Sequence, residues 1–287
     1  MEEIEIEAAG LRFPALVDGP EGGDVLVLLH GLPRNRWEWH HQIPAFAALG
    51  FRVVAPDLRG FCPGARPEAV EDYHLRNYAD DALAVADVVG APGAPFHLMG
   101  TSIGGTVAWW LAGNHAERIQ TLACINIPHP GAFLTAASRP TRDADGGAPD
   151  VAEDQAGRMD YIAEAQKEGR ERWMFERMLE VQGVPAHESE PYRRALDDDD
   201  ILRTVYHYYR AIPLWLGEPI APASMPTMFI WPPGSGNVAR AVAEANAEHV
   251  TGPYRFEIVE NVHQPILQAA PDTLTALLVE HLRTHAL

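Results

Sequence analysis

The chain has 287 residues, 47% hydrophobic and 22% charged, which fits one large domain with an inserted subdomain, or two small domains. With 40 acidic against 22 basic side chains its net charge is −18, which argues against a nucleic-acid partner, since phosphate binding needs a basic surface. Two cysteines give no disulfide framework, and no apolar run approaches the ~18 residues of a membrane span. The start, Met1 to Glu7, is acidic and alternating. It lacks the basic region and apolar stretch of a signal peptide, so a cytoplasmic location is the expectation.

Ile4 and Ile6, with residues 11–17, predict an N-terminal β-hairpin. Residues 25–29 and 51–55 are short, continuous apolar runs, as in strands buried on both faces. Further strands are predicted at 96–99, 121–127, 227–231 and 254–259. Helical patterns fall at 42–49, 78–89, 105–115, 239–249 and 273–285. Strands alternating with helices predict an α/β fold, a mostly parallel twisted sheet with helices on both faces. Residues 134–222 break this rhythm. They are helical and rich in Trp, Tyr, Met and charge, and they open with a stretch rich in Asp, Gly and Pro at 139–149. They are read as a helical cap inserted into a core of 1–133 and 223–287. The run Asp197 to Asp200 is expected to start the last cap helix, where carboxylates suit the positive end of the dipole.

Gly100-Thr101-Ser102-Ile103-Gly104 reads G-x-S-x-G, between an apolar strand and a helix. That context lets the glycines support a strained turn that presents the Ser102 hydroxyl. Other segments carry a family likeness: His30-Gly31-Leu32-Pro33, then Trp39, His41 and Gln42; Asp57-Leu58-Arg59-Gly60; Pro128-His129-Pro130-Gly131-Ala132-Phe133; and Tyr209-Arg210-Ala211. Together these resemble the α/β-hydrolase superfamily in its capped branch, which includes epoxide hydrolases, haloalkane dehalogenases and related esterases. The resemblance implies an oxyanion hole from the N–H groups of Leu32 and Ile103. It also implies a contrast, because epoxide hydrolases and dehalogenases carry Asp where Ser102 stands.

A serine needs a base and a carboxylate behind it. The resemblance expects the acid after strand 227–231, yet Pro232 to Arg240 contains no Asp or Glu; Ser235 and Asn237 are the polar candidates. The other position used by some relatives holds Asn126. The base is expected after the last strand, where His263 stands one residue before the aligned Gln264. Either the loop is shifted and His263 is the base, or the base is gone. A pairing of His30 with Asp57 is a further acid–base arrangement to test.

His30, Trp37, Trp110, His129, Trp173 and Tyr208 are expected around an apolar pocket. No phosphate loop, dinucleotide fingerprint or H-E-x-x-H is present, so no cofactor and no metal is expected. His40-His41 offers two ligands with no evident third. A small apolar molecule is the expected partner, and a homodimer is compatible with the reading. Three functions remain open: a serine hydrolase of esterase, lactonase or thioesterase type with an atypical triad; a cyclase, lyase or pericyclase of natural-product biosynthesis on the same scaffold; and a catalytically inactive ligand-binding protein.

Overall fold

A computed structural model describes residues 1–138, 151–262 and 265–286; the 139–149 stretch lies outside the described residues. The strands are β1 (Glu2–Ala8), β2 (Leu11–Asp18), β3 (Val25–Leu29), β4 (Arg52–Pro56), β5 (Phe96–Thr101), β6 (Ile119–Ile125), β7 (Thr227–Trp231) and β8 (Tyr254–Ile258). They form one sheet in the order β1-β2-β4-β3-β5-β6-β7-β8. β1 and β2 are the predicted hairpin, and β2 pairs antiparallel with β4. All other pairs are parallel.

The apolar run of β3 is buried at every residue because both faces are covered. Val25, Val27 and Leu29 face a core shared with α2 (Leu75–Val89) and α3 (Ile103–Asn114). Leu26 and Leu28 face the opposite core, with Trp39 and with Phe46 of α1 (Ile43–Ala48). This alternation is the period of two expected of a strand. After β3 the chain steps outward to β4 and then crosses back to β5 on the other side. Strand order therefore reverses at β3, and the loops after β3 and β5 open onto one crevice at the carboxyl ends of the strands.

Between β6 and β7 the chain runs through α4 (Pro130–Ser138), α5 (Val151–Arg158), α6 (Tyr161–Ala165), α7 (Glu171–Val181), α8 (Ala186–Ala195), α9 (Asp199–Val205) and α10 (His207–Trp215). The acidic run starts a helix as its charge suggests, with the Asp198 side chain accepting from the Asp200 N–H at 2.8 Å. That helix is the penultimate one of the segment, because the chain turns at Tyr206 and resumes as α10. The core then finishes with α11 (Arg240–Ala245), α12 (Ile266–Ala269) and α13 (Pro271–His285). Leu274, Leu278 and Leu282 of α13 bury against the sheet face that also holds Phe46. No helix among the described residues is long and apolar enough to cross a membrane.

Candidate active site

Ser102 is the single residue between β5 and α3, and it sits at φ 51, ψ −119. For a residue with a Cβ this is a strained position that costs about 1–3 kcal/mol. The surrounding glycines are sterically required. A Cβ on Gly104 would lie 2.3 Å from the Leu29 carbonyl oxygen, and one on Gly31 would lie 2.7 Å from the Ser102 Cβ. The loop after β3 thus presses directly on the serine. The Gly104 N–H donates to the His30 carbonyl at 3.0 Å and locks the two loops together. Ile103 buries its side chain, and its N–H is the first of the unpaired donors at the start of α3.

The turn bearing Leu32 is held from behind by a buried carboxylate. The Gly31 N–H donates to Glu38 Oε2 at 2.7 Å. Arg34 pairs with the other oxygen of Glu38, and its guanidinium also donates to the Gln182 side chain just beyond α7. Arg34 and Glu38 are both almost fully buried, so each depends on the other for neutralisation.

His30 does not pair with Asp57. Its Nδ1–H donates to the Gly31 carbonyl at 3.0 Å, and its Nε2 accepts the Leu58 N–H at 2.9 Å. Both ring nitrogens are committed, and burial holds the pKa down at about 3. Asp57 instead accepts from the Arg36 N–H at 2.9 Å and from Arg36 Nη1 at 2.6 Å. Burial raises its pKa to about 6 against the pull of Arg36. The pair expected as a rearranged acid–base unit is two separate structural anchors.

A cavity of about 380 Å³ opens above the serine. Its walls include Ser102, Leu32, Ser235, Asn237 and Trp173, all anticipated from the sequence. Five anticipated residues do not line it. His30 is locked as above. Trp37 stacks on His40 at 4.9 Å, and His129 stacks on His249 at 4.5 Å, each on another part of the surface or core. Trp110 packs edge-on against His74, and Tyr208 packs edge-on against Tyr78. Asn126 adopts φ 67 and gives its N–H to the Ile230 carbonyl at 2.8 Å, away from the cavity wall. His263 and Gln264 lie outside the described residues.

Ser235 ends a short turn after β7, and its buried Oγ has no hydrogen-bond partner among the described residues. The following main chain is clasped by the inserted segment. Gln155 donates to the Asn237 carbonyl at 2.9 Å and accepts the Ala239 N–H at 2.8 Å, while Arg158 donates to the Gly236 carbonyl at 3.0 Å.

Sequence reasoning missed Tyr161, Glu164, Arg177, Met178 and Gln182 as cavity residues. Tyr209, in the Tyr209-Arg210-Ala211 motif, also lines the cavity but was not singled out among the pocket residues. Burial raises the phenol pKa values of Tyr161 and Tyr209, so both stay neutral. Their rings meet edge to face at 6.0 Å. The site therefore places a strained serine, a helix N-terminus and two phenols around one small-molecule-sized space.

The sheet order, the reversal at β3 and the elbow at Ser102 decide the architecture. A family profile for the alpha/beta hydrolase fold matches residues 24–158. The chain is an α/β-hydrolase-fold protein. Its sequence is 25% identical to the AB hydrolase superfamily protein YfhM of Bacillus subtilis, over 97% of this chain and 96% of that one. It is 36% identical to epoxide hydrolase A of Mycobacterium tuberculosis over 123 residues, which span 43% of this chain and 38% of that protein. A solved epoxide hydrolase from hot-environment metagenomes superimposes with a TM-score of 0.80 at 23% identity, over 98% of both chains.

Proposed function

We propose that this α/β-hydrolase-fold protein is a hydrolase that uses Ser102 as nucleophile on a medium-sized apolar ester, lactone or thioester. The helical segment is its cap, and His263 is the base. The observation that carries this is the position of Ser102: strained at φ 51, on the cavity wall, at the head of a helix and against the Leu32 turn. Strain of this kind is retained where it presents a reacting group. An acyl oxyanion formed there would meet the Ile103 and Leu32 N–H groups. With Ser235 and Asn237 where an acid is expected, the base has a hydrogen-bonding partner without a negative charge, which lowers the rate by orders of magnitude without abolishing turnover.

Two of the three similar proteins described above are named epoxide hydrolases, but serine suits that reaction poorly. A carboxylate that opens an epoxide forms an ester, and water then releases it by attack at the carbonyl. A serine that opened an epoxide would form an ether, which has no carbonyl to attack. Epoxide turnover through Ser102 would stop after one cycle.

A second reading is favoured by the Tyr161–Tyr209 pair. Two neutral phenols on the wall of the cavity can polarise a carbonyl or deliver a proton, which suits a cyclase or lyase that needs no acyl-enzyme. Intact mass after treatment with a fluorophosphonate separates the two. One adduct on the wild type, absent from Ser102→Ala and from His263→Ala, is the expected result. A folded wild-type protein that takes no adduct removes the serine-hydrolase reading and leaves the proton-transfer one.

A further inference from the structure

His40 and His41 are adjacent in sequence, yet their rings lie together, with centroids 3.8 Å apart. The sequence offered no third ligand beside them; the fold supplies one. The start of α8 brings Glu188 across from the inserted segment, with Oε2 at 3.7 Å from His40 Nε2 and Oε1 at 3.4 Å from His41 Nε2. The donor atoms of all three residues lie within 4.8 Å of one another. In a tetrahedral zinc site with metal–ligand bonds near 2.0–2.2 Å, neighbouring donors are separated by about 3.4 Å. Each imidazole stands close to that spacing from one oxygen of the Glu188 carboxylate, within reach of contraction around one ion.

The protonation pattern suits a metal as well. The His40 Nδ1–H donates to the Trp37 carbonyl at 2.8 Å, so in the neutral ring the Nε2 lone pair faces Glu188. Metal-bound histidines characteristically give their other N–H to a main-chain carbonyl in this way. Glu188 Oε2 is buried and has no hydrogen-bond partner among the described residues. An imidazole lone pair and a carboxylate oxygen therefore face each other across a gap that a cation would fill.

We propose that His40, His41 and Glu188 form a binding site for a divalent transition-metal ion such as Zn²⁺, bridging the core to the inserted helical segment. Two imidazoles select such an ion over Mg²⁺ or Ca²⁺, which prefer oxygen-only sites. The fourth position falls to water or to His187, whose exposed ring already stands 3.9 Å from Glu188 Oε1. The residues do not line the Ser102 cavity, so the inference is independent of the reaction assigned there.

The test is Zn²⁺ titration of the whole chain at pH 7.5 against a chromophoric chelator, with thermal unfolding in parallel. Glu188→Gln and His41→Ala are the variants, because both side chains sit at or near the surface and their loss leaves the core intact. The wild type is expected to take one equivalent at micromolar or tighter affinity and to melt at a higher temperature with Zn²⁺. Each variant loses at least tenfold in affinity and loses the thermal shift. Co²⁺ should give a tetrahedral visible spectrum in the wild type that Glu188→Gln abolishes. A wild type that binds no Zn²⁺, or folded variants that bind it equally well, would show a histidine–carboxylate contact only and overturn the proposal.

Discussion

Replacing Ser102 by glycine and by alanine separates the strain at the elbow from its chemistry, since both variants lack the hydroxyl. The angles φ 51, ψ −119 are those of the first central residue of a type II′ turn, where glycine is preferred. Alanine keeps the Cβ and hence a strain of about 1–3 kcal/mol. Glycine releases it but adds about 0.5–1 kcal/mol of chain entropy on folding. The strain outweighs that entropy, so Ser102→Gly should be more stable than Ser102→Ala by roughly 0.5–2 kcal/mol. Unfolding entropy of about 2.1 cal/mol/K per residue puts that difference at about 1–3 °C in Tm for a chain of 287 residues. Urea and thermal denaturation of the two proteins, side by side, measure it. A glycine variant no more stable than the alanine one would refute the claim that the elbow stores strain.

Other outcomes follow from the buried charges and the loop after β7. Glu38→Gln leaves Arg34 buried without its counter-charge and should cost about 3–5 kcal/mol in urea unfolding, with loss of Ser102 labelling as the Leu32 turn relaxes; an unaffected midpoint would contradict the buried-pair reading. Ser235→Asp places a carboxylate where the resemblance expects the acid and should speed fluorophosphonate labelling by about tenfold or more if His263 is the base; an unchanged rate would place the base elsewhere. Acid should destabilise the fold. Burial lowers the pKa of His30 to about 3 and of His97, His129 and His281 to about 4, so the unfolded chain binds more protons below pH 6.5 and stability falls as pH drops through that range. Asp57 and Asp81, raised by burial to about 6, act oppositely between pH 6 and 4. The histidines prevail by about 5 kcal/mol at pH 5 relative to pH 7.5, at 1.36 kcal/mol per pKa unit; a flat stability profile over that interval would refute this balance.

What the sequence disclosed and what it hid divide along physical lines. The strands were legible because burial on both faces demands continuous apolar runs, as in residues 25–29. Ser102 and Leu32 were legible because glycine is compulsory around them, and steric need leaves a fixed spacing. The pocket was poorly legible. Trp110, His129 and Tyr208 are large and aromatic, but residue type does not say which face of an element looks into a cavity. Tyr161, Arg177 and Gln182 line it through the mutual placement of α6, α7 and the turn after α7, which tertiary packing sets and the local sequence period does not record. Glu188 was invisible beside His40 and His41 because only the return of α8 across the core joins them.

The loop after β7, where the resemblance expects an acid and Ser235 stands, is clasped through its main chain. Gln155 and Arg158 hold that loop by the main chain of residues 236, 237 and 239, and none of these bonds uses a loop side chain. The loop's path is therefore indifferent to whether residue 235 is a serine or a carboxylate. The Leu32 turn is governed in the same manner, through Gly31 N–H to Glu38 and from Arg34 to Gln182 of the inserted segment. On the proposed function, substitution at residue 235 then changes the charge beside the base while leaving the main-chain clasp of the loop alone. Conversely, Gln155→Ala should disturb both the loop and the cavity wall at Asn237 although residue 155 is not itself part of that wall. The helical segment thus contributes to the cavity wall and also holds the two core loops that border Ser102. Variation in chemistry on this scaffold is expected at residue 235, and variation in substrate at the cavity-facing residues of α6 and α7.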